Sequence, residues 1–488
     1  MSLKIYNTMS REKEEFVPVR EGKIGMYVCG ITAYDYSHLG HARAAVVFDV
    51  VYRYLLYMGY EVTFIRNFTD VDDKIIDRAN REKIDFKEIS ERFINEYSKD
   101  MGALGVKTPT AEPKASEHIK EMIEIIEEII EKGYGYVRDG DVFFSVEKKK
   151  DYGKLSGRNL EEMRAGARID IDERKVNPLD FALWKASKPD EPSWESPWGP
   201  GRPGWHIECS VMSKKYLGAT FDIHGGGEDL VFPHHENEIA QSEAATGKPF
   251  AKYWIHNGFV NINREKMSKS LGNFFTIREI LEKFHPESVR LFLLSNHYRS
   301  PIDFTDKNMS DAQSALDRFY TMMRRIDDLG DGEAENRDVH QQIKELSKKL
   351  SSGFKEAMDD DFNSARALGE IFEAIRVANQ ILDSVQKEGK GCSKKDFKPL
   401  KDTFNDLGSV IGVLNLKAEE WFQNTGTIDS REEEKGLNPD EIEKLIQERN
   451  AARKAKDWNR ADELRDRLSQ MGVVLEDTDK GTQWKVKR

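Results

Sequence analysis

Cysteine is almost missing from this chain. Three occur in 488 residues: Cys29, Cys209 and Cys392. An odd, sparse set argues against a disulfide framework and fits a reducing compartment, so a cytoplasmic location is expected. Long apolar runs are missing too. The chain has no stretch of about 18 apolar residues, the length of a membrane span. Its opening, MSLKIYNTMSREKEEF, has no apolar signal core, so neither a membrane association nor secretion is expected. A surplus of positive charge is also absent, the net charge being −12. That argues against blanket nucleic-acid binding and leaves room for a local basic surface. What is present is an ordinary balance, 38% apolar and 33% charged, over a length suited to roughly two to four domains.

The periodicity changes along the chain. KIGMYVCG (23–30) reads as a strand ending in glycine. HARAAVVFDVVYRYLLYMG (41–59) has helical spacing and stops at Gly59, and EVTFIRNFT (61–69) is a second apolar strand before a helical DVDDKIIDRANRE. Strand, helix, strand, helix predicts a parallel sheet with right-handed crossovers, whose ligand site lies at the carboxyl ends of its strands. A helix over 116–133 and the hairpin YGYV-RDGD-VFFSV precede a stretch rich in Pro, Trp and Gly (189–205). The sheet pattern resumes at ATFDIHGGG (219–227) and YWIHNGFVNIN (253–263), so the core is discontinuous in sequence. From about 306 the pattern is helical, with loops at 331–338 and 387–396 and a linker at 425–440. A helix, a second helix and a hairpin, nearly balanced in charge, close the chain. The expected fold is α/β: a Rossmann-like parallel-sheet domain (1–119 and 205–305) with an inserted connective domain (120–204), then an α-helical bundle (306–430) and a small C-terminal α+β unit (431–488).

The string PHHENE (233–238) spends two histidines, two glutamates and an asparagine on one helix start. His234 and Glu238 are four apart and share a helix face, while His235 and Glu236 point elsewhere. Alone, this reads as an exposed polar helix with i,i+4 partners. It is not the H-E-x-x-H zinc motif, because residue 239 is Ile. Cys29 ends the first strand, and Cys209 sits in GWHIECSVMSKKYLG (204–218), a short amphipathic helix. Each cysteine alone reads as buried packing. Cys29, Cys209, His234 and Glu238 together make a candidate zinc shell, although their spacing follows no C-x-x-C rule. Cys392, in GKGCSKK, has no such company.

A second constellation suits phosphate. SHLGHARAA (37–45) places His38 and His41 around Gly40 at a strand-to-helix turn, where free N–H groups and the helix dipole favour anions. EKMSKSLGN (265–273) precedes a helix starting near Thr276. Its Lys266 and Lys269 can neutralise charge on a pyrophosphate leaving group. In GGGEDL, glycines such as Gly226 permit close approach of an adenosine, and Asp229 can accept from ribose hydroxyls. Each of these, taken singly, is also an ordinary turn.

SHLGH followed by KMSKS resembles the two signatures of the class I aminoacyl-tRNA synthetases, with Leu39 where that family often has Ile. MYVCG, RNFTDVDDKIIDRA, GRPGWHIECSVM, DIHGGGEDLVFPHHENEIAQSEA, HNGFVNINREKMSKSLGN and ERNAARKAKDWNRADELRDRL narrow the resemblance to the cysteinyl-tRNA synthetase family, from residue 5 to about 475. The resemblance implies that Cys29, Cys209, His234 and Glu238 hold zinc. It implies that His38, Gly40, His41, Lys266, Ser268 and Lys269 contact ATP, and that Cys29, Thr69 and Trp205 line the amino-acid pocket. The resemblance assigns the catalytic roles to His38, His41, Lys266 and Lys269. Magnesium is expected with ATP, held mostly by phosphates and water. The implied partners are L-cysteine, ATP and tRNA(Cys), and a monomer is expected. The bundle and terminal unit would hold the anticodon stem and loop.

Such an enzyme needs positioning and charge stabilisation more than covalent chemistry. Selecting cysteine over serine is harder, since shape alone reaches only about 10² for so small a difference. Zinc is expected to supply the rest by taking the substrate thiolate. The rival reading is a cysteine-adenylating ligase that joins cysteine to a sugar amine. It would keep the catalytic residues and have no use for the C-terminal tail. A catalytically dead binding module would lose signature residues, all of which stand here. A nucleotidylyltransferase with an H-x-G-H turn would lack KMSKS and the helical appendage.

Overall fold

Residues that are apolar without alternation must be covered on both faces, and they form the central parallel sheet. The computed structural model describes residues 2–159, 173–189, 191–266, 274–330, 336–388, 391–424, 439–478 and 481–486. Four strands, β1 (Lys23–Thr32), β2 (Glu61–Thr69), β3 (Phe221–Gly227) and β4 (Ala251–Asn257), pair in the order β4-β3-β1-β2, all parallel. The chain leaves β1 for one side of the sheet and later returns to the other side. The β1–β3 junction is therefore a topological switch point, where such sheets bind ligands. The expected strand 253–263 is two: β4 stops at Asn257, and Val260–Ile262 pairs in a separate small sheet.

Helix α1 (Leu39–Tyr57) begins two residues earlier than its apolar spacing predicts, because His38 caps it. Two further helices matter for the site: α2 (Trp205–Leu217) and α3 (Glu236–Thr246). The expected amphipathic character of α2 is not what forms. Ile207 through Ser213 are all buried, polar residues included, so the helix is covered around its circumference.

Between β2 and β3 the chain makes helices Asp73–Glu82, Phe86–Ala103 and Ile119–Glu131. An antiparallel sheet of Gly135–Arg138, Asp141–Phe144, Phe181–Ala186 and Gly201–Pro203 follows. Asp139 and Gly140 both take positive φ, 52° and 84°, as a two-residue hairpin turn requires. The inserted elements share one apolar core with the parallel sheet. Ile125, Ile129, Phe144 and Trp184 belong to the same cluster as Tyr27, Cys209 and Trp254.

The chain divides into two compact units. The first comprises 1–274, 293–303 and 355–367; the second comprises 275–292, 304–354 and 368–488. In the second, helices such as Asp306–Asp327 and Lys394–Ile411 precede a terminal pair, Pro439–Lys454 and Trp458–Gln470, and the hairpin Val473–Thr478 with Gly481–Val486. That terminal part has its own apolar cluster of Ile442, Leu445, Ile446, Leu464, Leu468 and Val473. The expected loop 387–396 is shorter than predicted, since one helix runs to Glu388 and the next starts at Lys394. Most of the expected loop 331–338 and of the linker 425–440 lies outside the described residues. Among the described residues, no helix is long and apolar enough to cross a membrane.

Residues 355–367 join the first unit through three consecutive aspartates. Asp359 accepts from the Tyr54 hydroxyl (2.6 Å), and Asp360 pairs with Lys13 (2.6 Å). Asp361 is fully buried. It accepts from the Tyr6 N–H (2.8 Å), the Tyr298 hydroxyl (2.7 Å) and Arg299 Nε (2.9 Å). Its φ of 65° and the 50° of Phe362 are left-handed, a conformation that persists only where surroundings over-determine it. Asp361→Ala would strand those donors in the interior. Stability of the whole chain should fall by about 3 kcal/mol, read as a lower urea midpoint.

Candidate active site

At the carboxyl end of β1 the pairing with β2 slips between Val28 and Ile31. A bulge of this kind re-aims a side chain, here Cys29. Gly30 makes the bulge possible: a Cβ there would lie 1.6 Å from the Asn67 carbonyl oxygen. Its N–H donates to Asn67 Oδ1 (2.9 Å). Cys209 comes from α2, and His234 from the kinked turn before α3, where Phe232 is extended. Glu238 lies in the first turn of α3.

These four converge. Cys29 Sγ is 3.6 Å from Cys209 Sγ and 3.3 Å from Glu238 Oε1. His234 Nε2 is 3.6 Å from Cys209 Sγ and 3.0 Å from Glu238 Oε1. All four donor atoms lie within 4.8 Å of one another. A zinc tetrahedron with bonds of about 2.3 Å to sulfur and about 2.0 Å to nitrogen or oxygen has edges of roughly 3.3–3.8 Å. The donor set therefore fits zinc in both chemistry and spacing. A second set, Cys29, His224, His235 and Glu238, overlaps the first. The first has two sulfurs, the softer donors, and is the better match to zinc.

The surroundings orient the quartet. His206 Nδ1 meets His234 Nδ1 at 2.9 Å, and the Trp205 indole stacks on the His234 ring at 4.1 Å. Glu238 Oε2 is held by His224 Nε2 (2.8 Å), whose ring stacks on Trp254. Burial disfavours the His234 imidazolium, yet the Glu238 carboxylate and Cys209 sulfur against it push it up to about 10. Burial also opposes the Cys209 thiolate, but hydrogen bonding from Cys29 and the charge of His234 bring it down to about 6. Burial, Cys209 and Glu238 all hold the Cys29 thiol up. Without a metal the quartet is thus a thiol, a thiolate, an imidazolium and a carboxylate.

The exposed-helix reading of PHHENE does not hold, since none of residues 234–238 is more than 2% exposed. His235 Nδ1 meets His256 Nε2 at 2.8 Å, and His256 reaches the Thr8 hydroxyl at 2.8 Å. Glu236 accepts from the Gly153 (3.0 Å) and Ser156 (2.8 Å) N–H groups, and Asn237 accepts from the Tyr152 hydroxyl at 2.5 Å. Glu236 does point away from His234, into other buried partners, whereas His235 turns its Nε2 toward Glu238 Oε1 (4.0 Å) and so borders the quartet. Sequence spacing missed His206, His224 and His256. The only available signal was their position in the GWHIEC, FDIHGGG and WIHN strings.

A cleft of about 420 Å³ opens beside the quartet. Its lining includes Cys29, His38, Gly40, His41, Trp205 and Asp229. His38 Nδ1 accepts from the Gly40 N–H (3.1 Å), His41 Nδ1 accepts from the His38 N–H (3.4 Å), and the two rings stack at 3.7 Å. The first turn of α1 carries no acidic residue. Gly227 lines the cleft; Gly226 does not, being packed where a Cβ would meet the His235 ring at 2.8 Å. Thr69 is not among the lining residues. It is buried, and its hydroxyl donates to Glu208 Oε2 (2.6 Å) in the first turn of α2. The Lys266 backbone pairs with Asn261 at the start of the cationic loop, whereas Ser268 and Lys269 lie outside the described residues. Cys392 stands apart, 3.5 Å from Asp396.

Comparison with known proteins gives a consistent result. Residues 15–314 match the family of class I (C) tRNA synthetase catalytic domains, 353–415 the DALR domain, and 437–484 the cysteinyl-tRNA ligase anticodon binding domain. The cysteine–tRNA ligase of Geobacter metallireducens is 56% identical over 491 residues, covering 100% of both chains. That of Thermodesulfovibrio yellowstonii is 52% identical over 492 residues, covering 99% of this chain and 100% of its own. Among solved structures, Mycobacterium tuberculosis methionyl-tRNA synthetase bound by methionyl-adenylate has a TM-score of 0.59 at 16% identity. It covers 82% of this chain and 91% of its own. That likeness concerns the fold alone.

Zinc ligation needs both sulfurs ionised and His234 neutral, so binding must expel protons. Near pH 8 the Cys29 thiol and the His234 imidazolium are the two groups that lose one. Calorimetric titration of the metal-free chain in buffers of different ionisation enthalpy should show about two protons released per zinc. Affinity should rise with pH. Release of no protons would exclude this donor set.

Proposed function

The chain belongs to the cysteine–tRNA ligases among the class I aminoacyl-tRNA synthetases, and we infer that its cleft and its buried quartet divide the work of activation between them. It activates L-cysteine with ATP to cysteinyl-adenylate, releasing pyrophosphate. It then transfers the cysteinyl group to the 3′-terminal adenosine of tRNA(Cys), releasing AMP. One observation carries this reading: the full-length match includes residues 437–484, an anticodon-binding part that an enzyme joining cysteine to a sugar amine would not use.

The ATP phosphates are assigned to the start of α1. His38 and His41 each accept at Nδ1, so each keeps its proton on Nε2 as a donor. With no acidic side chain in that turn, the positive end of the helix dipole is not neutralised. Lys266, Ser268 and Lys269 are assigned to the leaving pyrophosphate, Asp229 to the ribose, and magnesium to the phosphates and water. Gly226 acts by making room for His235. Thr69 is a positioning residue, tying β2 to the start of α2 through Glu208.

Zinc held by Cys29, Cys209, His234 and Glu238 would supply a soft Lewis acid that takes a thiolate far better than a serine hydroxyl. Cys29 is the quartet member that also lines the cleft, so the two sites meet at its sulfur. Trp205 is 40% exposed and lines the same cleft while stacking on His234, which gives an amino-acid side chain an apolar wall beside the quartet. The protein is expected to act as a monomer in the cytoplasm.

ATP–pyrophosphate exchange with cysteine and with serine, together with charging of tRNA(Cys), tests the assignment. Cys209→Ala should cut the cysteine-over-serine preference to about 10² or less, the reach of shape alone. A preference equal to the parent's would defeat the selection mechanism. Exchange without charging would point to the amine ligase.

A further inference from the structure

Arg43 lies in α1, two residues after His41, and is completely buried. Its Nη2 donates to the backbone oxygens of Tyr298 (3.1 Å), His297 (3.4 Å) and Ser300. Among the described residues, its Nε and Nη1 have no hydrogen-bond partner. Among the described residues, no carboxylate pairs with it. The acid of that neighbourhood, Asp361, is taken up by Arg299 (2.9 Å) and the Tyr298 hydroxyl (2.7 Å). Burial lowers the guanidinium to about 10, so it stays protonated at neutral pH.

A neutral amide could donate to the same carbonyls without the cost of burying a charge. Holding the 297–300 turn therefore does not account for an arginine here. An anion does, and the cleft at the other end of this helical turn is where one is assigned. We propose that Arg43 is a positioning residue for the nucleotide, a buried positive charge that raises the affinity of the ATP phosphates without touching them. This rests on the assignment of the phosphates to the His38–His41 turn. The same guanidinium also steadies the cleft rim: the Tyr298 oxygen it holds accepts from the N–H of Gly258 (2.9 Å), and Gly258 lines the cleft.

Arg43→Gln keeps a donor for the carbonyls and removes the charge; Arg43→Lys keeps the charge and removes the fork. Binding of ATP by calorimetry, and the KM values for ATP and cysteine in exchange, separate the two effects. Arg43→Gln should weaken ATP about tenfold, the scale on which a unit charge acts without direct contact inside a protein. Arg43→Lys should stay within about threefold of the parent. The KM for cysteine should move in neither. Parental ATP affinity in Arg43→Gln, or equal loss in both variants, would overturn the proposal. If Arg43→Gln does not fold, Arg43→Lys decides alone: near-parental affinity supports the charge, and a tenfold loss refutes it. His41→Ala is the control for the underlying assignment. If it leaves ATP binding unchanged, the phosphates lie elsewhere. If it weakens ATP while Arg43→Gln does not, only the role of Arg43 fails.

Discussion

Polar groups withdrawn from water must find partners, and this requirement organises the catalytic unit. The turn entering helix α3 and the first residues of α3 supply five consecutive polar residues, 234–238, all buried. Left unpaired, each would cost on the order of 1–3 kcal/mol, more for the charged ones. Each has a dedicated partner drawn from a distant part of the chain. The partners of His234 and Glu238 are two sulfurs and two histidines, those of His235 a third histidine, and those of Glu236 and Asn237 the 152–156 turn. The start of α3 therefore fixes β1, α2, β3, β4 and the inserted segment relative to one another. The candidate metal centre is one consequence of that fastening.

The cleft is built on a different physical basis. It is shaped by backbone: a bulge at Cys29 and Gly30, a helix N-terminus at His38, and a glycine-lined strand end at Gly227. Both arrangements meet at the β1–β3 switch point. A cysteine on the bulge belongs to both, since Cys29 is a member of the candidate quartet and also lines the cleft. On α1 the buried guanidinium of Arg43, bonded to backbone carbonyls through Nη2, is proposed to extend the same electrostatic bias below the surface of the cleft.

The parallel sheet, the Asp139–Gly140 hairpin and the helical second half were legible because local pattern dictates them. The quartet was legible through chemistry rather than spacing. Cys29, Cys209, His234 and Glu238 fall on three separate stretches, and what singled them out was their donor chemistry, the strand-end position of Cys29, the shared helix face of His234 and Glu238, and the family resemblance. Burial was not legible. A polar string at helical spacing reads as a solvated face, and only the packed neighbours of α3 show otherwise. The partner of Thr69 was not legible either: its strand position points toward the ligand end of the sheet, and only the packing of the first turn of α2 shows its hydroxyl donating to Glu208. Arg43 reads as one more polar residue after a histidine motif until its missing counter-ion is seen.

The aspartate corner at 359–361 bears on how the gene can be divided. Helices Arg337–Asp359 and Ser364–Glu388 belong mostly to the second unit, yet the turn between them is counted in the first. A fragment cut after the last sheet residues, however natural that boundary looks on a linear map, would lose the carboxylates that satisfy Tyr6, Tyr54 and Tyr298. The catalytic half is therefore not a portable module. Recombination or circular rearrangement in this lineage would have to carry residues 355–367 along with it.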